Sequence, residues 1–137
     1  MLSFAVGGSK REERAPMLTI EKRFVGSDVA VLSLAGKLTL GRDCQQVEWQ
    51  FDNLLREGKL RVIFDLSALS YIDSAGVGIL VVCLRKLKKS GGTLRVAGAT
   101  GKVEDTLKRI NVHEVIQFFP TVEAAATLAA TLFELLP

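Results

Sequence analysis

Two hydrophobic periods alternate along the chain and mark out its elements. Leu18, Ile20 and Phe24 interleave with Thr19, Glu21 and Arg23, the two-residue period of a half-exposed strand. Gly26-Ser27-Asp28 supplies a turn. Residues 29–35 are then almost wholly apolar, as suits a strand covered on both faces, so the two segments predict a hairpin. From Arg42 to Arg56 the period becomes helical, with Cys44, Val47, Phe51, Leu54 and Leu55 on one face and Gly58 to stop it. Val62-Ile63-Phe64 centres a short buried strand over 61–66, followed by a short loop. Asp73 or Ser74 opens a second helix that runs to about Lys89 and closes at Gly91-Gly92. Residues 93–97 read as a strand, 102–110 as a helix striped by Val103, Leu107 and Ile110, and 115–119 as the last strand. Thr121 then caps a C-terminal helix whose inner side carries Val122, Ala125, Ala126, Ala129 and Phe133.

The order is therefore β-β-α-β-α-β-α-β-α. Strands alternating with helices after an opening hairpin predict an α/β fold with a mostly parallel mixed sheet and helices packed on it. We expect one domain over residues 17–137, after a flexible polar leader at residues 1–16. A chain of 137 residues, 48% of them hydrophobic, can bury roughly 65–70% of its unfolded surface, which excludes disorder throughout and disulfide-scaffold classes.

Charge and cysteine content narrow the chemistry. The formal charge of +3 is small and scattered, so no nucleic-acid footprint is expected. Cys44 and Cys83 lie far apart without CxxC spacing, and His113 is the single histidine, so no zinc site, metal or cofactor is expected. Both cysteines read as reduced thiols on apolar helix faces. The longest strongly apolar run, residues 75–84, is about half the ~20 residues that a membrane span needs. The N-terminus also lacks the order of a secretory signal, so we expect a soluble cytoplasmic protein with no membrane partner.

The informative stretch is residues 62–78, VIFDLSALSYIDSAGVG. It places Ser74 in the first turn of a helix, where backbone N–H groups have no intrahelical partners and an anion gains about 0.3–1 kcal/mol from the dipole. A phosphate on Ser74 would fit there, with Gly76 and Gly78 adding little bulk. Asp-Ser at a helix start is equally ordinary capping chemistry, and the glycines equally serve close helix–sheet packing. No GxGxxG or GxxxxGK[ST] motif occurs. His113 has no local signature of a catalytic base and reads as a helix-end residue. A receiver domain using Asp65 would need an acidic pair after the first strand, where Asp28 stands alone.

Residues 69–78, Leu-Ser-Tyr-Ile-Asp-Ser-Ala-Gly-Val-Gly, resemble the signature of STAS-domain anti-sigma factor antagonists, whose core reads Asp-Ser-Ser/Thr/Ala-Gly-hydrophobic-Gly. The resemblance extends over roughly residues 17–133. It implies a single STAS-like domain, and it implies that Ser74, directly after Asp73, is the phosphoacceptor of a serine kinase that is also the anti-sigma factor. The unphosphorylated antagonist would bind that kinase and release the sigma factor, and phosphorylation would break the complex. Such a protein is a regulatory module, not an enzyme. Asp73 and Gly76 are expected at the partner surface, with Lys37 and Thr39 of the stretch Gly36-Lys37-Leu38-Thr39, where many members carry Gly-Glu/Arg-Leu/Ile-Asp. Thr39 thus replaces an acidic residue. The alternative from another class is a STAS subunit of a lipid- or solute-transport assembly that docks without phosphorylation.

The second helix suggests where a partner would lie. At 100° per residue, Val77, Leu80, Val81, Leu84 and Leu87 fall on one side, expected to face the sheet, while Ala75, Ile79 and Val82 point nearly the opposite way as an apolar strip. The alternative is that a neighbouring helix covers this strip. Trp49 falls off the stripe of the first helix and is a candidate interface anchor or a residue lying against a loop.

Overall fold

The structure, a computed structural model, describes residues 17–127. The leader at 1–16, and Ala129 and Phe133 of the expected C-terminal helix, lie outside them. Five strands form one sheet in sequence order: β1 (Leu18–Val25), β2 (Val29–Leu38), β3 (Arg61–Ile72), β4 (Thr93–Ala97) and β5 (Gln117–Phe119). β1 and β2 are the expected antiparallel hairpin; every later pairing is parallel. Between the strands lie α1 (Arg42–Arg56), α2 (Ser74–Lys89), α3 (Gly101–Arg109) and a 3-10 turn at Val112–Glu114; α4 (Val122–Ala125) follows β5.

Alternation sorts the side chains into two layers. Ala30, Leu32, Leu34, Val62, Phe64, Leu94 and Val96 meet Val47, Phe51 and Leu54 of α1, Leu80, Cys83 and Leu87 of α2, and Val103 and Leu107 of α3 in the main core. Phe51 and Phe64 lie at its centre with near-parallel rings 6.3 Å apart. Val29, Val31, Ile63 and Ala97 point the other way and pack against Val122 and Ala125 of α4. Thr121 accepts the Ala124 N–H at 3.0 Å and is the helix cap that its sequence position suggests.

Two strands differ from expectation. β3 does not end at residue 66 but runs to Ile72, over the stretch expected to be a loop. Its register against β2 shifts twice, from Ser33–Asp65 to Ala35–Ala68 and from Gly36–Leu69 to Lys37–Tyr71, so β3 gains one residue at each shift. The positions of β3 that face the main core accordingly run Val62, Phe64, Leu66, then Leu69 and Ile72. Each bulge inverts which residues face the core, which erases the two-residue period that sequence reading relies on. Serines hold both bulges: Ser67 donates from its N–H and hydroxyl to Asp65 Oδ1 at 3.0 and 2.8 Å, and the Ser70 hydroxyl donates to the Gly36 carbonyl at 2.9 Å. Near the C-terminus, Val115 is exposed in the turn after the 3-10 segment and not in the last strand. The N–H groups of Val115 and Ile116 both donate to the Val112 carbonyl at 2.9 Å, which closes the turn before pairing can begin.

Between α1 and α2, Lys86 Nζ donates to Glu48 Oε2 at 2.6 Å and to Asp52 Oδ1 at 3.0 Å. The Glu48 hydrogen bond raises the Lys86 pKa; desolvation opposes it, and the Asp52 hydrogen bond and the charges of both carboxylates restore the upward direction. Because the folded value lies above the unfolded one, this stabilisation is fully present below about pH 10.5 and is lost as pH rises through the folded pKa. All three side chains are about one-third exposed, so the pairs are worth on the order of 0.2–1 kcal/mol each. Lys86→Met should therefore lower thermal stability slightly at neutral pH, with the difference from wild type shrinking above pH 10.5. A deficit that stayed constant through that range would assign the effect to packing of the lysine stem instead of its charge.

Candidate functional site

The site is built where the second bulge delivers the end of β3 beside the end of β2. The Asp73 N–H donates to the Leu38 carbonyl at 3.2 Å, the last rung between the two strands. Asp73 then takes extended backbone geometry and caps α2, its Oδ1 accepting the Gly76 N–H at 2.8 Å. Its Oδ2 accepts the Leu40 N–H at 3.0 Å, from the segment leading into α1. One carboxylate thus ties the start of α2 to the approach to α1, across a sequence separation of 33 residues. The Val77 N–H goes to the Asp73 carbonyl at 3.0 Å, so the first-turn donors left without an acceptor among the described residues are those of Ser74 and Ala75.

The two possible roles of Asp73-Ser74 separate here. Asp73 does the capping. Ser74 is the first residue of α2, exposed, and its hydroxyl makes no hydrogen bond within the described residues. The glycines separate in the same way. A Cβ on buried Gly76 would stand 2.7 Å from the Leu38 carbonyl oxygen and 2.7 Å from Ile72 Cγ1, so close packing of α2 on the sheet requires that glycine. A Cβ on exposed Gly78 would meet nothing within 4 Å. No packing among the described residues explains Gly78.

The outward face of α2 is rotated from the strip read off the sequence. Ile79 is half-buried and packs against the main core. Lys86, two turns further along on nearly the same side, bridges to α1. Val81, expected to face the sheet, is only half-buried and lies outside the core clusters, like Val82. The proximity of α1 is the physical cause: it covers the Ile79–Lys86 side and leaves Ser74, Gly78, Val81, Val82 and Arg85 outermost. Ala75 is half-buried at the edge of this face.

Around Ser74 stand residues that periodicity did not single out. Leu40 is 80% exposed and Tyr71 is 46% exposed. Tyr71 pairs in register with exposed Lys37. Thr39 is half-buried, its carbonyl accepting the Cys44 thiol at 3.2 Å. A large apolar residue between a strand and a helix was the available signal for Leu40; nothing local marked Tyr71.

The remaining candidates lie elsewhere. Burial, then the charges of Asp73 and Asp43, raises the Cys44 pKa, and burial pushes the Cys83 thiol up to about 12, so neither is a ready thiolate. Asp65 is engaged by Ser33 and Ser67, and Asp28, in the β1–β2 turn, pairs with Arg61 at 2.9 Å. His113 is exposed in the 3-10 turn that follows Asn111, and Trp49 is exposed on α1. Among the described residues no group of three or more His, Cys, Asp or Glu is placed to hold a metal, and no helix is long and apolar enough to cross a membrane.

A mixed five-stranded sheet whose β3 leads through Asp73-Ser74 into a helix is matched by the STAS domain family model over residues 20–125, and the chain belongs to that family. A Thermotoga maritima protein named "Putative anti-sigma factor antagonist" is 28% identical over 98 residues, which are 72% of this chain and 87% of that one. An anti-sigma factor antagonist from Mycobacterium paratuberculosis shares the fold with a TM-score of 0.71 and 24% identity, over 85% of this chain and 96% of that chain. The anti-sigma factor antagonist SpoIIAA, in its unphosphorylated form, superposes with a TM-score of 0.61 at 18% identity, over 85% and 97% of the two chains. The phosphorylated form of SpoIIAA, from Bacillus, gives a TM-score of 0.60 at 17% identity, over 86% of this chain and 100% of that one.

The two glycines of α2 should respond oppositely to the same change. Gly76→Ala forces a methyl against the Leu38 carbonyl and should cost about 1–3 kcal/mol. Gly78→Ala enters open space in a helix interior and should stabilise by roughly 0.5–1 kcal/mol. Denaturant unfolding of both variants checks the pair, and a destabilising Gly78→Ala would show that the helix needs glycine there.

Proposed function

We propose that this chain is an anti-sigma factor antagonist switched by phosphorylation of Ser74. In this reading the unphosphorylated protein binds, in the cytoplasm, an anti-sigma factor that is also a serine kinase, and so frees the sigma factor. Transfer of phosphate to Ser74 ends the complex. The chain performs no catalysis; it offers a hydroxyl and a surface. The observation that carries the proposal is the exposed, unbonded Ser74 hydroxyl at the first position of α2, beside an Asp73 already committed to the cap. The named roles of the Thermotoga maritima and Mycobacterium paratuberculosis proteins, and the two phosphorylation forms in which SpoIIAA is known, support it.

The energetics favour a switch at this position. A phosphoserine adds about 1.5–2 negative charges at pH 7. Kept exposed, it is tolerated by the two unpartnered first-turn amides and the positive helix end. Covered by a partner, a dianion costs several kcal/mol to desolvate, and at about 1.4 kcal/mol per tenfold that weakens binding by roughly a hundredfold or more. The fold itself loses nothing, because the hydroxyl holds no structural bond.

Incubation with ATP and the candidate anti-sigma factor kinases of the same genome, followed by mass spectrometry, should place one phosphate on Ser74. Ser74→Ala should melt within about 0.5 kcal/mol of wild type and hold the kinase whether or not ATP is present. Phosphate persisting in that variant would assign another acceptor. Tight binding with no phosphorylation by any of the kinases would favour the transport-assembly reading, in which the domain docks unmodified.

A further inference from the structure

The outward face of α2 has two ends of different character. Ser74, Gly78, Val81, Val82, Arg85, Lys88 and Lys89 fall within about 120° of helical arc. Arg85, Lys88 and Lys89 are exposed and, unlike Lys86, pair with no carboxylate of the described residues. The face thus carries a hydroxyl and a bare glycine at one end, two half-exposed valines in the middle and three unpaired cations at the other. Exposed Lys37 adds positive charge beside the Ser74 end. Cations at a helix C-terminus do gain from the dipole, but one or two residues of the last turn suffice for that, and Arg85 stands a turn before the end.

We infer that this face docks an acidic surface of the anti-sigma factor kinase, with Arg85, Lys88 and Lys89 steering the encounter and Gly78 admitting the partner to within contact of the helix backbone. The inference rests on the Ser74 reading and adds the partner's chemistry to it. The choice of an acidic protein follows from charge complementarity: three free cations next to an apolar centre repel a basic partner and favour a carboxylate-rich one. The sign also matches the switch, since the phosphate opposes the same negative surface that the cations attract. Arg85 is eleven residues from Ser74, about 16 Å along the helix, twice the ~8 Å screening length at physiological salt. Phosphate and cations therefore act on separate parts of one docked partner and do not cancel each other locally. Cations at the rim govern the association rate and its salt dependence; the phosphate, within the contact, governs dissociation.

This separation is measurable in stopped flow with the full chain and the kinase that phosphorylates Ser74. The double variant Arg85→Glu/Lys89→Glu should associate at least about tenfold more slowly at ~0.05 M salt, with the difference closing at ~0.5 M and dissociation little changed. The milder Arg85→Gln/Lys89→Gln should show an intermediate loss, and equal melting curves establish that both fold. Phosphorylated Ser74 should instead raise the dissociation rate. An unchanged association rate in the double variant, with phosphorylation still breaking the complex, would overturn the steering role and leave the Ser74 reading standing. Sedimentation of the wild type, but not the double variant, with anionic vesicles, together with unaltered kinase association, would assign the basic end to a lipid surface and overturn the inference.

Discussion

The pairing of β2 with β3 is the constraint on which the site depends. Without its two register shifts β3 would reach the end of β2 two residues early, and Tyr71 would stand where Asp73 now meets the Leu38 carbonyl. The shifts let a strand that is buried on both faces over residues 62–64 become one that exposes Ser70 and Tyr71 and then turns into a helix. They are held by side-chain hydroxyls that satisfy backbone and carboxylate groups the ladder leaves over, so the irregularity costs few unpaired donors.

From that point one carboxylate organises two helices. Asp73 supplies an acceptor to the first turn of α2 and another to the approach to α1, and Gly76 lets the two helix starts close on the sheet end. Further along, Lys86 repeats the connection between α1 and α2 with charge in place of a cap. The result is a platform in which Ser74 is exposed between Asp73 and Gly76, both of which are committed to structural bonds. A phosphate added at such a position would change charge without changing fold, as the proposed switch requires.

The face that carries Ser74 is best understood by what it lacks. Its glycine answers to no packing demand, its cations to no carboxylate of the described residues, and its valines to no core. By contrast, the inner side of the same helix has every large residue buried. Gly78 gives up helix propensity on the solvent side of α2, which is consistent with the docking face proposed above.

Element order, the opening hairpin, the parallel sheet, the cap at Thr121 and the position of Ser74 at a helix start were all legible along the chain. Each of these follows from local period, turn chemistry or a contiguous motif, and such signals survive without knowledge of neighbours. The resemblance of residues 69–78 likewise rested on a short run whose context could be read directly. Tertiary structure alone decided the rest. Residues 67–72 became a strand because β2 was long enough to pair with them through bulges that break the alternation. Ile79 turned inward and Val81 outward because α1 lies against one side of α2, a contact between elements whose packing no single-helix projection contains. Asp73 acquired its second partner, Leu40, because the strand ends meet in space. A helical wheel fixes the order of residues around an axis; only the neighbour fixes which way the axis is turned.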